Sequence, residues 1–65
     1  MIQYVEETSP GKFDIIDEHN NTIGNAYAPG GVLLHYNEHS LTLKEGPYIR
    51  TYDEHGFVIA TRVAP

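Results

Sequence analysis

Apolar and polar positions alternate along this chain with a period of two, in short runs broken by turn-forming residues. No window sustains the i, i+3, i+4, i+7 spacing of an amphipathic helix, so no helix is expected. The β-branched and aromatic runs at residues 2–6, 12–16, 22–27, 32–36, 41–44, 48–52 and 57–63 read as strands. Between them lie Ser9-Pro10-Gly11, His19-Asn20-Asn21, Pro29-Gly30-Gly31, residues 37–40, Gly46-Pro47 and residues 53–56. Connections this short join antiparallel neighbours, because a parallel crossover needs roughly a dozen residues or more. The pattern predicts one small all-β domain over residues 1–65, an antiparallel meander of six or seven short strands.

Alternation assigns faces. Phe13 and Ile15 share one, as do Val32, Leu34 and Tyr36, and Leu41 with Leu43. Ile2 with Tyr4, Ile23 with Tyr27, and Phe57 with Ile59 are expected in the same layer. A second apolar set is left over: Val5, Ile16, Leu33, Ile49 and Val58. With no helix to cover the other face, the sheet either curls into a small barrel or is completed by another chain.

Length sharpens that alternative. A chain of 65 residues and 7.3 kDa with no cysteine must fold without disulfides. Below roughly 70–80 residues, domains draw on a metal, idealised packing or a partner subunit, so homo-oligomerisation is expected. Four Lys plus Arg against nine Asp plus Glu give a net charge of −5. An acidic chain lacks the basic surface that nucleic acid or an anionic membrane would recruit, so neither is an expected direct partner. Met1 leads into Ile2-Gln3-Tyr4-Val5-Glu6 with no basic stretch and no apolar core of a signal peptide. Together with the absence of cysteine, this makes the cytoplasm the expected compartment.

The most informative feature is a repeat: Asp17-Glu18-His19-Asn20, Asn37-Glu38-His39-Ser40 and Asp53-Glu54-His55-Gly56. The first and third extend further, with an apolar residue before the Asp and an isoleucine after the turn, Ile23 and Ile59. Turn chemistry explains most of the motif. Asp or Asn opens a type I turn by accepting backbone N–H bonds, and Asn or Gly closes it in the left-handed conformation. Asn37 to Ser40 fits less well. Glu and His then occupy the solvated corners. Because hairpin turns alternate between sheet ends, all three Glu-His tips fall at one pole, and Lys12 and Lys44 lie beside the Pro-Gly turns at the other.

Three chemistries compete for that pole. Carboxylate and imidazole are metal ligands, but each tip offers two, and tips of a flat sheet stand roughly 10 Å apart. No residue is therefore assigned to a metal, and no cofactor is expected. Acid–base catalysis needs a pocket to tune its groups, which solvated corners lack, and no Cys or glycine-flanked Ser suggests a nucleophile; the chain reads as a non-enzyme. Protein binding fits best, because five Tyr and two Phe supply interface-type side chains beside the charged tips.

The expected partner-binding residues are Glu18, His19, Glu38, His39, Glu54, His55, Tyr36 and Tyr52. A small phage-type or accessory protein occluding a partner's site is one instance of such a module. The rival is a metal- or pH-responsive binding protein using the same tips. His35 is expected as a half-buried strand histidine sharing a face with Leu33, and Arg50 and Arg62 as members of cross-strand ion pairs.

Residues 52–59, Tyr52-Asp53-Glu54-His55-Gly56-Phe57-Val58-Ile59, are similar to the Tyr-Asp…Gly hairpin repeats of large bacterial shell-forming toxins. The likeness covers eight residues and implies a hairpin; no function is carried over.

Overall fold

A computed structural model describes residues 1–65 as seven antiparallel strands in two sheets, with no helix. Strands β1 (Ile2–Ser9), β2 (Lys12–Asp17) and β3 (Thr22–Tyr27) form a three-stranded meander. Strands β4 (Val32–Tyr36), β5 (Ser40–Glu45), β6 (Tyr48–Asp53) and β7 (Val58–Val63) form a four-stranded one. The break between sheets is Ala28 to Gly31, where the N–H of Gly31 donates to the Ala28 carbonyl at 2.7 Å. The meander divides at its central Pro-Gly-Gly, so two inner faces cover each other and no barrel closes.

One core results, with Ile2, Phe13, Ile15, Ala26 and Ala28 from the first half and Leu41, Leu43 and Tyr52 from the second. Phe13 with Ile15 and Leu41 with Leu43 point inward as alternation requires. Elsewhere, irregular register moves the inward position. A shift between Ile2 and Tyr4 turns Val5 toward the core and leaves Tyr4 on the outer face opposite Ile16. A shift between Leu33 and His35 makes Leu33 the core residue of β4, while Val32, Leu34 and Tyr36 stay exposed. His35 thereby parts from the Leu33 face and is exposed rather than half-buried. Ile23 packs on the core, but Tyr27 does not, and Phe57 and Ile59 lie in the open.

The outer faces also hide apolar side chains. Ile16 is buried opposite Tyr4, whose hydroxyl donates to Asn20 Oδ1 at 3.2 Å, laying the ring along the strand. Ile49 stands between Lys44 and Arg62 in register, whose alkyl stems can cover it.

Two glycine contacts lock the halves together. The turn after β6 rests on β3, where Gly56 meets the Asn25 backbone and Gly24 meets the His55 backbone. Any Cβ there would overlap main chain, which is the ordinary reason for glycine inside a strand. At the other pole, within the first half, the N–H of Ala28 donates to the Gly11 carbonyl at 2.6 Å.

Candidate functional site

The first and third Glu-His tips have the same construction. Oδ1 of Asp17 accepts the N–H of His19 at 2.9 Å and of Asn21 at 2.8 Å. Oδ1 of Asp53 accepts from His55 at 2.9 Å and Phe57 at 3.0 Å. Each turn closes on a left-handed residue, Asn20 at φ 65° and Gly56 at φ 93°. Those bonds explain why both aspartates titrate below the usual range: the leading cause is the N–H of Asn21 for Asp17 and of Phe57 for Asp53. The middle tip is tighter. Asn37 Oδ1 accepts from His39 at 2.8 Å and Ser40 at 3.0 Å, and the N–H of Asn37 donates to the Ser40 carbonyl at 2.9 Å. It has no left-handed residue, in keeping with its poorer match to the motif.

The structure brings the tips to one end. The N–H of Ile2 donates to the Glu38 carbonyl at 2.7 Å, tying the start of β1 to the middle tip. The Met1 amino group stands 3.0 Å from Glu54 and 3.9 Å from Glu18, joining the tips of different sheets. The residue pattern does not disclose this contact, which depends on how the start of β1 is placed against the tips. The amino group's hydrogen bond, followed by its charge, holds the Glu54 carboxyl below the usual range, with smaller help from His55 and His39. Reciprocally, the Glu54 hydrogen bond raises the Met1 amine.

Within each tip, imidazole faces its own neighbour. The nearest His–Glu separations are 3.7 Å for His19–Glu18, 3.9 Å for His39–Glu38 and 4.0 Å for His55–Glu54. These become ion pairs only when the histidine is protonated. No three His, Asp or Glu side chains converge as a metal site would require, and no pocket indents the surface.

The expected tyrosines separate. Tyr36 is 41% exposed on β4 and remains available for contact. Tyr52 is 5% exposed and belongs to the core, a correction to its expected place at an interface. It pairs with Leu41 in register, which carries the ring inward. Its hydroxyl donates to Glu45 Oε2 at 2.6 Å while Arg50 donates to Oε1 at 3.2 Å. Burial, then that carboxylate, pushes the Tyr52 phenol up to about 12. Arg50 also lies 5.4 Å from the Tyr48 ring centroid. It makes the cross-strand pair expected of it, whereas Arg62 makes no ion pair.

Fold and site define a small, acidic, two-sheet β domain with a solvated pole of three Glu-His turns. No family model, curated protein or solved structure matches the chain. No helix is long and apolar enough to cross a membrane.

Proposed function

We propose that this chain is a non-catalytic cytoplasmic module that binds a protein partner through its Glu-His pole. The observation that carries the reading is convergence: Glu18, His19, Glu38, His39, Glu54 and His55 sit on three separate hairpins, yet gather at one end. Exposed carboxylates in one place complement a basic protein patch and steer encounter with it. Tyr36 supplies an amphipathic contact on the same four-stranded sheet. An accessory inhibitor that occludes a basic site on its partner is the form of action this chemistry suits.

A pH-responsive version of the same function is favoured by the three internal Glu–His approaches. Protonating all four histidines would remove four of the five net negative charges. Binding to a basic partner should weaken on acidification.

The test is affinity capture from the native source with the wild-type chain and with the combined Glu18→Ala, Glu38→Ala, Glu54→Ala variant. A partner retained by the former at low salt and lost by the latter supports the pole. Equal retention assigns the motif to turn chemistry alone. Calorimetric titration with zinc, nickel and manganese addresses the metal rival: heat with a rise in melting temperature would favour it over protein binding.

A further inference from the structure

The molecule has four strand edges, and they differ in exposure. β1 carries two register shifts along with Glu6 and Glu7, and it lies against β4. β4 is itself bent by the shift at Leu34. On β3, Gly24 and Asn25 lie beneath the turn after β6. β7 carries one shift too, but it alone has every residue exposed, all six of them.

Natural edges are blunted by lysine, proline, bulges or inward charges. β7 has one register shift at its start and then runs regularly from Ala60 to Val63, with Arg62 as its single charge. Ile59 is 59% and Val63 69% exposed, and Tyr48, paired with Val63 on β6, extends the apolar strip.

Backbone phase shows what this edge accepts. The N–H of Ala64 donates to the Pro47 carbonyl at 2.7 Å, so Ala64, and by alternation Arg62 and Ala60, turn their backbone groups toward β6. Thr61 and Val63 then turn theirs to the open side.

We infer that β7 is the seam of a homodimer, in which a second copy adds its own β7 antiparallel about a two-fold axis through Thr61. In that register Thr61 faces Thr61 of the second copy, and the two exchange both backbone bonds. Ile59 stands at the register shift that ends the regular run, and Val63 of the second copy lies opposite it on both sides of the axis, apolar beside apolar. Arg62 faces Ala60 of the second copy, so the only charges on the strand never oppose each other. A register centred on Arg62 would place them directly opposite. The occupant is a second copy because the strand is complementary to itself in both side chains and hydrogen-bonding phase. The result is a continuous eight-stranded sheet.

The surface is distinct from the Glu-His pole, and salt separates the two. Copies of net charge −5 repel, so added salt strengthens this dimer, whereas it weakens capture by a basic partner.

Sedimentation of the wild-type chain from micromolar to millimolar concentration should show a monomer–dimer equilibrium, as suits a seam at or below roughly 1,200 Å² of total buried surface. Thr61→Lys places like charges across the axis and should raise the dissociation constant at least about tenfold, with an unchanged far-ultraviolet spectrum. Thr61→Glu should do the same alone, and mixing the two variants should restore the dimer as a heterodimer. Thr61→Pro removes an outward N–H without breaking the β6 ladder and should also give monomer. A wild-type chain that stays monomeric throughout, or dimers of Thr61→Lys as tight as wild type, would overturn the inference. Failure of the mixed variants to recover would overturn the register.

Discussion

Replacing Gly24 by alanine tests the contact that joins the two sheets more directly than any core deletion. A Cβ at Gly24 would lie 2.8 Å from the His55 Cα and closer still to its carbonyl group, and main chain cannot turn aside as a flexible side chain would. Ordinary contact begins near 3.4 Å, so the hairpin after β6 must lift by several tenths of an ångström or more. Overpacking of this kind costs about 1–3 kcal/mol. Gly24 does not have a left-handed backbone, so alanine also stiffens the unfolded chain and returns roughly 0.4–1 kcal/mol.

Gly46 isolates the opposite component: its φ is +60° and nothing lies within 4 Å, leaving only a left-handed penalty of about 1–2 kcal/mol. Gly56 combines both, at φ +93° with its Cβ aimed into Asn25, for about 2–5 kcal/mol. Against a total of roughly 3–10 kcal/mol for a domain of this length, Gly56→Ala should leave little folded protein in mild urea. Urea unfolding followed by tyrosine fluorescence should show Gly56→Ala as the costliest variant, with Gly46→Ala and Gly24→Ala close to each other. The Gly24→Ala, Gly56→Ala pair should cost less than the sum of its members, because one displacement of the hairpin relieves both clashes. A Gly24→Ala chain unfolding at the wild-type urea concentration or above would refute the reasoning, since the third tip would then not rest on β3.

Tyr52→Phe should cost about 1.5–3 kcal/mol through the lost bond to a half-buried carboxylate. The phenol's raised pKa makes its stabilisation complete below pH 10 and lost as pH climbs toward about 12, so the variant should also flatten the alkaline limb of a pH–stability curve and remove the latest step of the tyrosinate titration. Asp17, Asp53 and Glu54 have lowered values, so their contribution is present above their ordinary 3.8–4.5 range and disappears as pH falls through the lowered ones. The paired Asp17→Asn and Asp53→Asn exchange should keep both turns, as Asn37 does in the middle tip, while shallowing that acid decline in thermal melts. Asp14 faces Glu6 across β1–β2 and its Oδ1 is buried without a partner, so Asp14→Thr should raise stability by about 0.5–2 kcal/mol in urea titration.

Where the sequence reading succeeded, a local cause was enough. All seven strands stand where runs and turns placed them, because Pro, Gly and Asx residues act over a few positions. The Glu-His pole follows from the same logic, since a meander must alternate its turns. Side-chain facing failed where ladders slip: the shifts beside Tyr4 and Leu34 each exchange the inward residue, and no residue type announces them. Tyr52 was misplaced for a different reason. Its depth depends on lying opposite Leu41, and that pairing sits in a ladder whose inner face could be recognised only once the second sheet was known to exist. Ala26 and Ala28 escaped notice because small side chains carry little hydrophobic signal, although both are buried.

That division of the meander has a further consequence for how the molecule spends its apolar residues. Splitting at Pro29-Gly30-Gly31 yields unequal sheets, and strands about 4.8 Å apart make the larger one wider by a whole strand. The narrow sheet covers β4, β5 and β6, and its far edge is held by Gly24 beneath the turn at His55. β7 lies outside the core although Val58, Ile59 and Val63 are as apolar as the leucines that β5 buries. β1 places Glu6 and Glu7 on its exposed edge, whereas β7 carries valine and isoleucine on an edge exposed along its whole length, and the two features together make a second β7 its fitting cover.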